Sequence, residues 1–353
     1  MPFRENISLG ACTSFGIHSI ARYFSAFSTV DDLQELLMSV EQLSSADSRL
    51  KTLILGGGSN LLLCGDFNGF VLKNEIAGIN EVHEDNEFVY VKAGAGENWH
   101  RFVQYCISRD WAGAENLSLI PGNVGASPMQ NIGAYGVELE DIFWGLEAWH
   151  IKEQKLVTFT KTDCAFGYRE SVFKRKFRDQ FVILNVTFQL RKKPRFNTQY
   201  GAIEQELALM GVKELSIKAI ADAVIRIRSS KLPDPAVTGN AGSFFKNPSI
   251  QAEQFAALKK RYPNIVGYPN SDGTIKLAAG WLIENTGPDS TTSWKGFRRG
   301  DAGCHSRQAL VLVNYGNASG QEVFHLSEEI LQSVKSTFGV ELEREVNVVG
   351  CEL

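Results

Sequence analysis

Residues 52–63 read Thr52-Leu53-Ile54-Leu55-Gly56-Gly57-Gly58-Ser59-Asn60-Leu61-Leu62-Leu63, so one short apolar run passes through a glycine-rich turn into another. Short apolar runs bounded by glycine are typical of buried β-strands, and consecutive glycines predict a tight turn where a strand leaves its sheet. A helix is predicted upstream, because apolar residues recur at helical spacing behind an N-cap motif. These residues are Leu33, Leu36, Leu37 and Val40, after Ser28 or Thr29 with Asp31 and Asp32. The first lobe is therefore predicted to be α/β.

The rest of the chain combines short β runs with amphipathic helices. Runs at 88–91, 156–159 and 181–188 surround one helix and predict an α+β lobe; the helix has Trp99, Phe102, Val103 and Cys106 on its apolar face. A basic, proline-containing stretch at 191–196 indicates a boundary, beyond which the pattern turns helical. Four helices are expected there. The first has Ile217, Ile220, Val224 and Ile227 on its apolar face, and the next two lie around 252–258 and 277–283. The fourth is capped by Ser319 and Glu322, ends at Gly339 and has an apolar face of Val323, Leu326, Ile330 and Val334. An apolar strand at 309–313 and a final strand complete the pattern.

Composition and charge predict a soluble globular protein. The chain has 353 residues, of which 44% are hydrophobic and 22% charged, and its formal net charge is −4. This length predicts about two or three domains. The acidic balance argues against nucleic acid as the main partner. Neither a signal peptide nor an apolar run of membrane-spanning length is recognisable, so we expect a cytoplasmic protein that has no membrane partner.

The cysteines predict neither a metal site nor a disulfide framework. All six are widely spaced, without a CxxC pair or a histidine at metal-ligand spacing: Cys12, Cys64, Cys106, Cys164, Cys304 and Cys351. We therefore expect free thiols and no bound metal.

Three glycine clusters give the first functional signal. They cover residues 56–60, 94–98 and 121–127, and each follows or precedes a predicted strand. Glycine lets the backbone approach a ligand and turn its N–H groups toward an anion such as a pyrophosphate. Leu61 and Trp99 stand where the last glycine of GxGxxG would fall, and no P-loop lysine follows, so a Rossmann or Walker site is disfavoured. Each cluster alone could be a tight turn, but the three together favour a bound dinucleotide.

An irregular, glycine- and amide-rich segment at 119–139 resembles the flavin loop of the UDP-N-acetylenolpyruvoylglucosamine reductase (MurB) family. The resemblance continues, in the family's order and over nearly the whole chain, at 14–17, 166–169, 231–235, 240–248, 276–283 and 342–346. It implies an α+β protein with a two-lobed FAD-binding fold of the vanillyl-alcohol-oxidase/PCMH type, in lobes 1–68 and 69–212. A C-terminal α+β substrate domain would span 213–353 and return its last strand to the active site.

The resemblance also implies the reaction. NADPH would reduce noncovalently bound FAD, which would pass hydride to UDP-N-acetylglucosamine enolpyruvate and give UDP-N-acetylmuramate, a peptidoglycan precursor. The residues expected at the flavin are Gly56, Gly57, Gly58, Ser59, Asn60, Pro121, Gly122, Gly125, Ala126, Ser127, Gln130, Asn131, Gly133, Tyr135 and Gly242.

Three residues match the family's catalytic positions. Hydride addition to an α,β-unsaturated carboxylate builds negative charge on the carboxylate, and a proton must then reach the adjacent carbon. Arg169 can grip the carboxylate, Ser243 matches the proton donor, and Glu345 matches the catalytic glutamate. Substrate or nucleotide contacts are expected from Tyr168, Tyr200, Lys231, Asn247 and Gln308, and the Tyr200-Gly201 pair indicates the form with a tyrosine loop.

Some features depart from the family pattern. Arg344 stands where many members have proline, Asn347 replaces a basic residue and Ser14 replaces threonine. The change at Asn347 concerns the tuning of the flavin rather than its binding. Two alternatives stay open at this point: another FAD oxidase or dehydrogenase of the same fold, and a non-catalytic UDP-sugar binder.

Overall fold

The computed structural model describes residues 2–200 and 202–351. The chain forms two compact units, and each is assembled from separate stretches of sequence. Apart from residue 201, the first unit contains residues 2–7, 21–57 and 68–230, and the second contains residues 8–20, 58–67 and 231–351. Among the described residues, no helix is both long and apolar enough to cross a membrane.

The strands are β1 (Arg4–Ser8), β2 (Ile20–Phe27), β3 (Lys51–Leu55), β4 (Leu61–Leu63), β5 (Phe67–Asn74), β6 (Ile79–Glu84), β7 (Phe88–Gly94), β8 (Gly133–Ala134), β9 (Val137–Glu138), β10 (Phe143–His150), β11 (Lys155–Thr160), β12 (Phe181–Arg191), β13 (Gly239–Asn240), β14 (Ser249–Ile250), β15 (Gly267–Pro269), β16 (Ile275–Leu277), β17 (Arg298–Arg299), β18 (Ala302–Cys304), β19 (Leu312–Asn314) and β20 (Asn347–Val349). The helices are α1 (Val30–Ala46), α2 (Trp99–Ser108), α3 (Lys161–Cys164), α4 (Ile203–Leu209), α5 (Ile217–Lys231), α6 (Ala252–Arg261), α7 (Ala279–Glu284) and α8 (Gly320–Phe338).

The first unit contains two principal sheets. One has the order β1-β2-β5-β3, in which β3 and β5 are parallel, and α1 shares an apolar core with it. Helix α1 begins at a capping box between Thr29 and Asp32, which confirms the predicted N-cap. The second sheet is antiparallel, in the order β11-β10-β12-β7-β6, and α2 buries its predicted apolar face in the core of this sheet.

The second unit is built from small sheets and helices around one core. Its sheets have the orders β13-β19-β18-β17, β14-β16-β15 and β20-β4, and the last pair is parallel. Helix α8 begins at a capping box between Ser319 and Glu322 and ends at Gly339, whose φ is +66°. The predicted apolar stripe of α8 is buried in this core: Val323, Leu326, Ile330 and Val334.

Two local predictions were wrong. The strand expected at 309–313 begins only at Leu312, because the Val311 N–H donates to the Gln308 carbonyl in a turn. Two cysteines are not free thiols: Cys64 and Cys351 form a disulfide with their Cα atoms 5.0 Å apart. Parallel pairing of β4 with β20 brings these distant residues together, and the Cys64 N–H donates to the Val349 carbonyl.

The domain boundaries predicted at residues 68 and 212 stay a prediction. By their contacts, residues 213–230 and most of α5 belong to the first unit, and the second unit takes two short stretches from the N-terminal region. The predicted apolar face of α5 is buried: Ile217, Ile220, Val224 and Ile227.

Candidate flavin and substrate site

Two of the three glycine clusters meet where β3 ends in the first unit. A Cβ atom on Gly57 would lie 2.7 Å from Asn123 Oδ1 and 2.9 Å from the Gly122 Cα. Real Cβ atoms do not approach other atoms so closely, so the two backbones can touch only because residue 57 is glycine. The turn after β3 and the segment at 121–125, both predicted to hold the flavin, are thus brought together.

The middle glycine cluster joins the same assembly. The Val124 N–H donates to the Glu97 carbonyl at 2.8 Å, and the Gly125 N–H donates to the Ala95 carbonyl at 2.9 Å. A Cβ on Gly125 would lie 2.5 Å from the Cβ of Ala95. Residues of all three glycine clusters thus form one closely packed backbone region.

Two of the predicted flavin residues use their side chains internally. Ser127 is buried, and its hydroxyl donates to the Val124 carbonyl at 2.7 Å. Asn131 is also buried; its amide donates to Glu138 at 2.7 Å and accepts the Glu140 N–H at 3.0 Å. These side chains therefore shape the segment at 127–140.

Left-handed backbone recurs in and beside this segment. The φ values of four non-glycine residues are positive: +58° at Leu119, +46° at Asn131, +50° at Tyr135 and +54° at Arg169. A left-handed conformation costs about 1–2 kcal/mol for most L-residues, and such residues cluster at functional sites. The concentration of strain supports a functional role for the predicted flavin loop.

Arg169 is bound directly to the predicted flavin loop. Its Nη2 donates to the Gly133 carbonyl at 2.6 Å, and its guanidinium carbon lies 5.3 Å from the centre of the Tyr168 ring. Burial raises the pKa of the nearby Glu138 carboxyl, and the positive charge of Arg169 opposes that shift. Arg169 thus carries a positive charge at a half-buried position on this loop.

Arg228 was not predicted as a site residue. It lies on α5, and its Nε is fully buried without a hydrogen-bond partner among the described residues. Desolvation lowers the pKa of its guanidinium. The positive charge of Arg169 lowers this pKa further, whereas Tyr135 raises it. The guanidinium of Arg228 therefore brings a second positive charge close to Tyr135 and Arg169. An arginine next to the apolar stripe of α5 has no distinctive sequence pattern, which is why Arg228 was not predicted.

The predicted tyrosine loop is attached to the flavin loop by amides. Asn116 is buried, and its Nδ2 donates to the carbonyls of Tyr135 and Asn197, both at 2.9 Å. The side chain of Asn197 in turn donates to the Gly136 carbonyl at 3.0 Å. Tyr200, three residues further on, is half exposed, and its predicted partner Gly201 lies outside the described residues.

The second unit brings together Asn60 and the backbones that carry Ser243 and Glu345. The Glu345 N–H donates to the Phe244 carbonyl at 2.8 Å, and its carbonyl accepts the Asn60 Nδ2 at 3.2 Å. Ser243 follows Gly242, whose φ is +70° and whose N–H donates to Asn240 Oδ1 at 3.0 Å. Both predicted catalytic side chains are half-buried on anchored backbone.

Two predicted substrate residues lie at the start of α7. Asn247 Oδ1 accepts the Ala279 N–H at 2.9 Å, and a Cβ on Gly280 would lie 3.0 Å from Gln308 Oε1. Lys231, predicted to contact a diphosphate, is exposed at the end of α5.

The remaining predicted flavin residues differ in exposure. Pro121 and Ala126 are exposed, whereas Gly56, Ser59 and Gln130 are half-buried. No cluster of three or more His, Cys, Asp or Glu suited to a metal ion occurs in ranges 2–200 and 202–351.

Replacing Gly58 with alanine is expected to destabilise the protein by about 2–4 kcal/mol. Gly58 has a φ of +59°, and an added Cβ would lie 2.1 Å from the Cys12 carbonyl oxygen. Denaturant unfolding of the purified variant measures the loss. Gly65→Ala is the control, because a Cβ there meets open space and φ is not left-handed. Equal stability of the two variants would contradict the steric explanation.

Comparisons with known proteins identify the domains of the chain. Residues 24–159 match a family model described as an FAD binding domain, and residues 234–349 match the C-terminal domain of UDP-N-acetylenolpyruvoylglucosamine reductase. In structure, the chain is similar to the reductase from Thermus caldophilus, with a TM-score of 0.65, 23% identity, and coverage of 98% of this chain and 99% of that one. The predicted α+β FAD-binding fold with a C-terminal domain is confirmed.

Curated relatives match over the full length. A UDP-N-acetylenolpyruvoylglucosamine reductase of Amoebophilus asiaticus is 49% identical over 349 residues, which cover 99% of this chain and 100% of the relative. One from Flavobacterium johnsoniae is 45% identical with coverages of 99% and 100%, and one from Pseudomonas syringae pv. tomato is 48% identical with 97% of each chain covered. At this identity and coverage, the chain belongs to the UDP-N-acetylenolpyruvoylglucosamine reductase family.

Proposed function

We propose that this protein reduces UDP-N-acetylglucosamine enolpyruvate to UDP-N-acetylmuramate with electrons from NADPH. It is an FAD-containing oxidoreductase of peptidoglycan precursor synthesis, as its family and its FAD-binding domain indicate. The observation that carries the proposal is the close approach of the three glycine clusters, where Gly57 meets Gly122 and Gly125 meets Ala95. This backbone region would hold the pyrophosphate of FAD. Arg228 and Tyr135 would lie near the more electron-rich part of the FAD molecule.

The chemistry assigns a task to each catalytic candidate. Bound FAD supplies hydride transfer, from NADPH to the terminal carbon of the enolpyruvyl group. The Arg169 guanidinium binds the substrate carboxylate and stabilises the negative charge that develops there. Ser243 Oγ donates a proton to the adjacent carbon. Glu345 assists at the same enol, where a protonated carboxyl can donate a hydrogen bond.

The remaining residues hold the substrate and the nicotinamide nucleotide. Lys231 would pair with a diphosphate, Asn247 and Gln308 would bind the nucleotide sugar beside the start of α7, and Tyr168 and Tyr200 would cover it. We propose two FAD-binding lobes at residues 1–68 and 69–212, the second of which also contributes Tyr168, Arg169 and Tyr200 to the substrate site, and a substrate domain at residues 213–353. We also propose a cytoplasmic location, because both reactants, a nucleotide sugar and NADPH, are cytoplasmic metabolites.

An anaerobic visible spectrum tests the proposal directly. The purified protein is expected to be yellow, to bleach with NADPH and to regain its colour only when UDP-N-acetylglucosamine enolpyruvate is added. Bleaching without recovery would reject the acceptor and point to another oxidant. A colourless protein that cannot be reconstituted with FAD would reject the enzymatic function.

A further inference from the structure

Arg344 precedes the proposed catalytic residue Glu345, and its side chain grips α8 at three points. Its Nε donates to Ser327 Oγ at 2.9 Å, its Nη2 pairs with the carboxylate of Glu328, and its guanidinium carbon lies 4.7 Å from the centre of the Phe324 ring. Arginine suits such a site because its planar fork can bond two partners while it stacks on a ring. The side chain of Arg344 therefore ties the C-terminal segment to this helix.

Helix α8, whose apolar stripe is buried in the core of the second unit, supports this contact. Both ends of α8 are capped, by the Ser319 and Glu322 pair and by Gly339. Ser327 is fully buried, and its hydroxyl donates to the Phe324 carbonyl at 2.6 Å, so the oxygen is oriented to accept from Arg344. The position of Arg344 is thus determined by groups that are themselves held in place.

The same segment pairs with the backbone that follows Ser243. Arg344 and Phe245 form an antiparallel bridge. The Lys246 N–H donates to the Glu343 carbonyl, and the Glu345 N–H donates to the Phe244 carbonyl, both at 2.8 Å. Successive side chains on an extended segment point to opposite sides. Since Arg344 points to α8, Glu345 is directed to the other side.

A second ion pair between α8 and this region offers a comparison. Lys335 pairs with Glu341 at 2.7 Å, and the side chains are 57% and 76% exposed. The side chains of Arg344 and Glu328 are only 20% and 27% exposed. Exposed pairs contribute little, whereas shielded, charge-assisted contacts are stronger. Of these two ion pairs to α8, the contact of Arg344 is therefore the one expected to hold the segment against the helix.

We propose that Arg344 is a positioning residue, which fixes the backbone at Glu345 so that the glutamate faces the reacting group. This inference rests on the proposed function of Glu345. Many family members have proline where this chain has Arg344. In this chain, the contact of the Arg344 side chain with α8 would hold the segment instead.

Rapid-mixing kinetics of Arg344→Met test the inference. We expect reoxidation of NADPH-reduced flavin by saturating enolpyruvyl substrate to slow by about 10- to 100-fold, since small misplacements of catalytic groups have effects of this size. The rate of flavin reduction by NADPH stays unchanged. Arg344→Lys keeps the positive charge but not the planar guanidinium, so its reoxidation rate should lie between those of Arg344→Met and the unchanged protein. Lys335→Met, which removes the exposed pair on the same helix, changes neither half-reaction.

A double-mutant cycle with Glu345→Gln separates positioning from general stabilisation. If Arg344 acts through Glu345, Arg344→Met adds no further loss in the Glu345→Gln background. An equal loss in both backgrounds, or no loss from Arg344→Met alone, overturns the inference. If Glu345→Gln itself leaves reoxidation unchanged, the proposed function of Glu345 fails instead. Glu328→Gln leaves Arg344 in place and is the second variant, to be used if Arg344→Met does not fold. It must slow flavin reoxidation, by less than the about 10- to 100-fold expected for Arg344→Met, without slowing flavin reduction by NADPH.

Discussion

Ser243→Ala is expected to slow flavin reoxidation by the enolpyruvyl substrate by about 10²–10⁴-fold, the range that general acid catalysis contributes. The hydroxyl is removed while the backbone stays in place, because the Gly242 N–H is held by Asn240 and the Phe244 N–H donates to the Leu310 carbonyl at 2.7 Å. Reduction of the flavin by NADPH does not use this proton and is expected to proceed at the unaltered rate. Anaerobic stopped-flow absorbance follows both half-reactions separately.

Ser249→Ala is the matched control for this experiment. Ser249 lies six residues downstream on β14, is exposed, and accepts a hydrogen bond from Asn270. Its replacement should leave both half-reactions unaltered. If Ser243→Ala reoxidises as fast as the control, another group supplies the proton and the role of Ser243 is wrong. If both half-reactions slow together, the variant has lost flavin or structure rather than an acid.

Arg169→Met has the second large expected effect, a loss of about 10²–10³-fold in the rate of reoxidation at saturating substrate. The loss is expected because the proposed mechanism uses the positive charge of Arg169 to stabilise the negative charge that develops on the substrate carboxylate. Arg169→Lys should recover only part of the rate, since an ammonium cannot reproduce a bidentate contact with a carboxylate. Rapid mixing of the reduced enzyme with substrate measures each rate.

Arg169→Met also removes the hydrogen bond from Arg169 to the Gly133 carbonyl, so a control must distinguish loss of catalysis from damage to the flavin loop. Flavin content and the rate of NADPH reduction report on the loop itself. Arg175→Met removes an exposed arginine that lies six residues after Arg169 and pairs with Glu170, and it should be neutral in all assays. A reoxidation rate for Arg169→Met equal to that of Arg175→Met would exclude Arg169 from the reaction.

Many local features of the fold were predictable, because their causes lie within a few residues of sequence. The capping boxes at Thr29 and Ser319, the glycine that ends α8 and the buried faces of α1, α2, α5 and α8 all follow from spacings of three and four residues. The strands at 52–55, 61–63, 88–91, 156–159 and 181–188 also appear where apolar runs predicted them.

For the candidate site, the sequence proposes only a set of residues, and their roles stay a prediction. Motif resemblance supplied Arg169, Ser243 and Glu345, and no spacing rule would have paired Asn60 with Glu345, which are 285 residues apart. Arg228 and Asn116 were not predicted, because what distinguishes them is burial in the folded chain. An arginine beside an apolar stripe and an asparagine in a turn have no distinctive local pattern. The disulfide between Cys64 and Cys351 was missed because it depends on the pairing of β4 with β20.

The sequence by itself determined the principal helices and the longer strands, the glycine turns and, through its motifs, the family of the protein. These properties depend on backbone preferences and on periodicity, which operate over a few residues. Only the tertiary structure decided that Gly57 meets Gly122, that Glu345 pairs with the residue after Ser243, and that Arg344 faces α8. Such contacts join segments distant in the chain, and their geometry is selected by packing of the whole core, which no local pattern contains.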